Sequence, residues 1–189
     1  MAAFWTDCYQ AHFQKFFQKP FDVQVFHDSD GFALKVANHD LAVDNYRVLA
    51  SMGLADKLVA NDEDDFGEVI LFSDVPDQEV PQLFVNALFF ILHHDIPLGS
   101  RFAIGGIDQM RKAFADRHGK SALYFTLAQD ENESFNKVRN GDEFGFVYQA
   151  FFISAAEDRY LDEYGPDEFE KRLDEQPGDH NSVQRPSFA

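Results

Sequence analysis

The run EVPQLFVNALFFILHH, sixteen residues at positions 79–94, is apolar almost all the way round. At 1.5 Å of rise per residue such a helix is about 24 Å long. A bilayer span takes about 20 consecutive apolar residues, so this run predicts a buried core helix. A helix with no polar face must be covered by protein on every side. The rest of the chain therefore has to supply a surface broad enough to cover it.

That surface reads as sheet. Residues 21–27 (FDVQVFH) and 32–38 (FALKVAN) alternate apolar and polar at the period of a half-buried strand. The turn HDSDG between them makes the pair a hairpin, with Gly31 free to take positive φ. YRVLASM (46–52), GEVILF (67–72), SALYFTLAQ (121–129) and FGFVYQAFFIS (144–154) are further strands, the first two separated by an acidic loop. Phe4, Trp5, Cys8, His12, Phe13 and Phe16 recur at helical spacing, predicting an N-terminal helix over residues 1–19 that stops at Lys19-Pro20. IDQMRKAFADRH (107–118) predicts one short helix. Ser154 and Glu157 form a capping box ahead of a helix that breaks at Gly165-Pro166 and restarts, with Phe169 and Leu173 as its apolar stripe. Residues 175–189 have no periodicity and predict a flexible tail. The fold class is α/β (α+β), a mixed β-sheet sandwich with flanking helices, in one domain over residues 1–174. The 22 phenylalanines point to a core filled by large planar side chains.

Thirty-three acidic residues against 16 basic ones give a net charge of −17. A surface that negative repels phosphate backbones and anionic lipid and attracts basic partners. Nucleic acid and membranes are thus not expected as partners. One cysteine, Cys8, leaves no internal disulfide and no zinc-cysteine cluster, in keeping with a reducing, cytoplasmic setting. The opening MAAFWTDCYQ lacks both a basic region and an unbroken apolar stretch, so it does not read as a secretory signal.

No reaction is legible. His93, His94 and Asp95 invite a metal-dependent hydrolase, but neighbouring helix positions point about 100° apart and zinc-binding helices use i, i+4 pairs. HDSD (27–30) and NHD (38–40) fall at opposite ends of the hairpin and read as two polar turns. An EF-hand counted from Asp62 places Gly67 correctly at its sixth position, yet puts Phe66 at a ligand position and Ser73 in place of the bidentate acid. There is no G-x-S-x-G elbow and no phosphate-loop spacing. Neither catalytic residues, metal ligands nor a cofactor are expected. Asp62, Glu63, Asp64 and Asp65 are the densest acidic patch and the candidate surface for a basic protein partner. A chain this acidic also suits a nucleic-acid mimic that blocks a DNA-binding protein through carboxylates alone.

Several segments, in order, resemble the suppressor-of-fused family in its bacterial branch. YRVLASMGLAD (46–56) sits where the family has a strand and turn, and DFGEVILFSDV (65–75) follows with Glu68 at its acidic position. VPQLFVNALFFILHHDIPLGSRFAIGG (80–106) is similar to the family helix and its glycine-rich exit. FFISAAEDRYLDEYGPDEFEKRLDE (151–175) is similar to the closing helices, with Ser154 and Glu157 at the cap. The resemblance runs over about residues 20–175. Ala50 and Ala55 depart from it, standing where a threonine and a serine are expected. It implies a mixed α/β sandwich without catalytic residues. Eukaryotic relatives bind proteins in Hedgehog signalling, and bacterial ones are suspected immunity proteins that neutralise toxins. The expected function is accordingly a non-enzymatic, immunity-type binding protein.

Overall fold

A computed structural model describes residues 4–17, 20, 22–41, 46–60, 66–129 and 134–189. Its centre is one mixed sheet. The strands are β1 (Asp22–His27), β2 (Ala33–Asp40), β3 (Arg47–Met52), β4 (Gly67–Ser73), β5 (Phe102–Ile104), β6 (Ala122–Leu127), β7 (Lys137–Asn140) and β8 (Glu143–Ile153). They lie in the order β1-β2-β3-β4-β8-β6-β5, with β7 added to the first half of β8. Every pairing is antiparallel except β4 with β8. The helices are α1 (Trp5–Phe16), α2 (Leu54–Ala60), α3 (Val80–His94), α4 (Ile107–Met110), α5 (Lys112–His118) and α6 (Ala155–Asp174).

The strand period of two separates the faces. On β8, Tyr148, Ala150 and Phe152 share one apolar cluster with Leu83, Phe84 and Leu88 of α3 and Phe114 of α5. Val147 points the other way into a cluster with Trp5, Tyr9 and Phe13 of α1. Phe151 and Ile153, on that same second face, pack with Leu161, Phe169 and Leu173 of α6. Helix α3 buries nine of its fifteen residues against the sheet, while Phe90 on its outer side stays exposed, so it is covered on most sides and not on all. One face is covered by α3 and α5, while the other is covered in two patches, by α1 and by α6.

The parallel step between β4 and β8 depends on two glycines. Gly67 pairs with Phe146, and a Cβ at Gly67 would run into the Phe146 carbonyl. A Cβ at Gly145 would sit 2.5 Å from the Tyr9 hydroxyl. That hydroxyl instead donates to the Phe146 carbonyl at 2.8 Å, which fixes α1 over the strand pair.

Several predicted boundaries change. The buried stripe of α1 is Trp5, Tyr9, His12 and Phe13, while Phe4 is exposed and Cys8 only half-buried. The helix stops at Phe16 rather than at Lys19-Pro20, because Phe17 is already extended. Helix α2 lies where the acidic loop was expected to begin directly after the strand. Strand β7 was not anticipated, and residues 107–118 form two helices parted by a non-helical Arg111. Helix α6 starts on its capping box and kinks at Gly165 (φ 79°, ψ 171°), as its sequence predicts.

Residues 175–189, expected to be a flexible tail, pack instead as a strap across the body. Val183 is fully buried in the α3-side cluster, and Phe188 packs with Tyr160 and Phe169. The anchors reach the strap from far away in sequence, so no local periodicity announces them.

Candidate binding groove

The histidine candidates diverge. His93 Nε2 lies 2.7 Å from Asp28 and its Nδ1 3.7 Å from Asp30, so it ties the end of α3 to the tip of the β1–β2 hairpin. His94 turns back to its own helix, with Nδ1 3.0 Å from the Phe90 carbonyl and its ring stacked on Phe90. Asp95 takes the left-handed conformation that ends α3. The two imidazoles thus serve separate contacts. Among the described residues no group of three or more His, Cys, Asp or Glu side chains is placed to hold a metal ion. The patch Asp62, Glu63, Asp64 and Asp65 lies outside the described residues.

The stretch 46–56 resolves into a carboxylate cradle. Glu68 on β4 is fully buried and accepts from the Ser51 hydroxyl (2.5 Å) and the amides of Gly53 (2.7 Å), Leu54 (3.3 Å) and Ala55 (3.2 Å). Those amides are the unpaired first donors of α2, so Glu68 caps that helix from a neighbouring strand. Gly53 makes the turn with φ +98°. Burial pushes the Glu68 carboxyl up to about 7, against the lowering effect of its four hydrogen bonds. Asp56 of α2 in turn caps α1, accepting from the amides of Trp5 (2.8 Å) and Thr6 (3.1 Å). The most perturbed carboxylate in this region is therefore committed to holding helices.

An open groove lies between α1 and α6 on the sheet face those helices share. Its two hollows, about 190 and 320 Å³, have Gln129, Gln149 and Asn181 in common. Register builds its floor: Gln149 of β8 stands opposite Ile70 of β4 on one side and Thr126 of β6 on the other. Phe16, Phe17, Phe72 and Phe135 make one wall aromatic. Glu170 and Asp174 of α6 make the other wall acidic. Glu170 is held in place by the hydroxyls of Tyr124 (2.7 Å) and Thr126 (2.8 Å) and by Arg101 (3.1 Å). Burial, then the Glu170 carboxylate, raise the Tyr124 hydroxyl above its ordinary range, so it stays a donor at every physiological pH. No lysine or arginine is among the described residues that line either hollow.

With the sheet, its two covered faces and this groove in place, the fold can be compared with solved structures. The crystal structure of a candidate suppressor-of-fused (SUFU) homologue from Neisseria gonorrhoeae matches with a TM-score of 0.73, over 97% of this chain and 96% of that one, at 16% identity. The fold is suppressor-of-fused-like. At that identity the likeness carries architecture and no residue's role. No protein-family model matches the sequence, and no curated protein does either.

Within this suppressor-of-fused-like frame the groove is a candidate binding surface. It offers amides and hydroxyls on its floor, aromatic faces on one side and carboxylates on the other, a combination suited to basic and aromatic side chains of an extended segment. Sequence reasoning missed it. The one signal available was polar Thr126 and Gln149 inside two otherwise apolar strands, but their alignment appears only with the register. Among the described residues no helix is long and apolar enough to cross a membrane.

Proposed function

We propose that the protein is a non-enzymatic binding module of the immunity type, which binds a basic toxin domain and neutralises it. The observation that carries this reading is the groove: open, aromatic on one side, acidic on the other and with no lysine or arginine among the described residues that line it, in a chain of net charge −17. Opposite charge speeds capture of a basic partner and suppresses acidic competitors. Aromatic faces add contacts to arginine that salt screens only in part. The acidic run Asp62–Asp65 supplies a second attractive patch to the same class of partner.

The test is co-expression with the product of a neighbouring toxin gene. Growth rescue and a co-purifying complex are the expected results, with an association rate that falls steeply as salt rises. Gln149→Arg sets a cation in the middle of the groove floor and should abolish rescue while the protein stays folded. Reversing Asp62, Glu63, Asp64 and Asp65 to lysine should slow association without abolishing it. Rescue that survives Gln149→Arg overturns the groove as the interface. A chain that neither binds nor rescues overturns the immunity reading itself.

A further inference from the structure

The strap after α6 is held in a way unlike the rest of the molecule. Glu175 and Gln176 still bond back to the last turn of α6, but beyond them the strap's backbone-to-backbone bonds among the described residues stay within it, from Ser182 to Asp179 and from Arg185 to Ser182. What binds it to the body is a row of side-chain anchors. Asp74, just beyond β4, accepts from the Ser182 hydroxyl (2.5 Å) and the Val183 amide (2.9 Å). Lys120, just before β6, donates to the Arg185 carbonyl at 2.9 Å. Glu157 in the first turn of α6 pairs with the Arg185 guanidinium through both carboxylate oxygens and accepts from the Phe188 amide at 3.3 Å. Phe152 offers its carbonyl to the same guanidinium at 3.3 Å.

Lys120 and Glu157 are 1% and 0% exposed, and the Arg185 side chain is 8% exposed. Two buried charged groups from distant places in the sequence, Lys120 and Glu157, thus meet Arg185 beneath a segment that turns at residues 183–184. Its Val183, Arg185 and Phe188 each fill a separate seat. This is how a receptor holds a peptide: main chain fixed at a few polar points, specificity set by spaced side chains. The strap also enters the groove described above, where His180 and Asn181 form part of the lining and Asn181 bonds to Gln149 on the floor. A partner that takes the groove meets the strap at once.

We propose that Asp74, Lys120 and Glu157 form a receptor for an arginine-bearing peptide segment that turns just ahead of its arginine, filled in cis by residues 182–188, and that an arginine-bearing segment of a basic protein partner exchanges with them. The ligand class is a short, turn-forming peptide with an aliphatic residue, an arginine two positions on and an aromatic three beyond that. The proposal rests on the binding reading above and gives it a device: the strap competes with the partner, so only a segment of matching chemistry gains the site. A cis segment acts at an effective concentration in the millimolar range, so weakly matched peptides are excluded.

The experiment uses the full chain and a fluorescein-labelled peptide with the sequence of residues 179–189, DHNSVQRPSFA. Arg185→Ala in the chain weakens the cis strap and leaves the receptor intact. Fluorescence anisotropy should show saturable binding to that variant at least about 10-fold tighter than to the unaltered chain. The same peptide carrying alanine for its arginine should lose at least about 10-fold, as should a chain that combines Arg185→Ala with Glu157→Gln. Hydrogen exchange on the unaltered chain gives the second reading. The Val183 and Phe188 amides should exchange by local opening, faster than core amides such as Val69. A folded Arg185→Ala chain without saturable binding overturns the proposal, and so does binding indifferent to the peptide's arginine. An Arg185→Ala chain that fails to fold, or strap amides that exchange only with the core, overturns it too, because the strap is then core and not ligand. No toxin enters these measurements, so failed toxin rescue and failed peptide exchange are read separately.

Discussion

Glu68 and Glu157 are both fully buried, yet their carboxyls end up shifted in opposite directions. Glu68 faces a hydroxyl and three backbone amides, all neutral, and burial carries its carboxyl up to about 7. Burial pushes Glu157 up as well, but the Arg185 guanidinium and the Ser154 amide outweigh it and hold the carboxyl below its ordinary value. Both sit at a helix start, Glu68 capping α2 from outside and Glu157 capping α6 from within. The difference lies in the partner's charge, since four neutral donors do not offset the loss of water that one buried guanidinium does. The first arrangement closes a helix, and the second also holds a strap.

The largest effect should come from unpairing the charged site. Glu157→Gln keeps an oxygen for the Ser154 amide but strands the buried Arg185 guanidinium. Loss of one partner from a buried pair costs about 3–5 kcal/mol. Urea denaturation should show that loss, and adding Arg185→Leu should recover much of it by removing the stranded charge. If the double variant is no more stable than the single one, the pair's charge is not what distinguishes Glu157 from Glu68.

Next comes pH, where the two glutamates separate. Between the ordinary Glu value of 4.5 and about 7, folded Glu68 holds a proton that the unfolded chain has released. Its contribution to stability therefore falls as pH rises through that window, by about 3 kcal/mol in all, and is level above it. Glu157 behaves inversely. Its folded value is depressed, so its contribution is fully present above 4.5 and is lost as pH falls through the folded value. Stability measured by urea from pH 3 to pH 8 should carry both trends, and Glu68→Gln should flatten the upper one alone. An upper limb unchanged in Glu68→Gln would assign that slope to another group.

Gly53→Val tests the cradle rather than the carboxylate. At φ +98° a β-branched residue is strained by about 1–2 kcal/mol, and the 2.7 Å bond from the Gly53 amide to Glu68 must shift. Thermal unfolding should fall accordingly, with the pH trend of Glu68 moving to higher pH as a lowering hydrogen bond weakens. An unchanged melting temperature with lost partner binding would give this turn a functional role instead.

What the sequence could announce tracks how local the physics is. The α6 cap was legible because Ser154 and Glu157 lie three residues apart and satisfy each other. The α2 cap was not, because Glu68 stands 13 to 17 residues from the donors it accepts. The helix itself was hidden with it: only seven residues long, it lacks the local start signal that a side-chain cap of its own would give. Helix α3 and the β1–β2 hairpin were plain from periodicity alone. The groove and the strap were not, since one depends on Thr126 meeting Gln149 across strands and the other on Asp74, Lys120 and Glu157 converging. The histidine pair His93-His94 drew notice by adjacency, and adjacency on a helix is what sends the two rings to different partners.

The smallest effect separates the glutamates through their serines. Ser154→Ala removes the hydroxyl that accepts from the Glu157 amide at 3.1 Å and meets the Ser187 hydroxyl at 2.7 Å. Loss of an N-cap oxygen costs about 1 kcal/mol. The guanidinium of Arg185 remains against Glu157, so the acid limb of the stability profile should keep its position while the whole curve drops. Ser51 stands in the contrasting place, donating directly to Glu68 while its oxygen accepts from the Val69 amide at 2.8 Å. There the serine is part of what holds the carboxyl down, so Ser51→Ala should move the upper limb to higher pH as well as lowering it. Parallel denaturation series on the two variants would decide the matter. If Ser154→Ala displaces its limb as Ser51→Ala does, Glu157 depends on its cap and not on its cation, and the distinction between the two buried acids collapses.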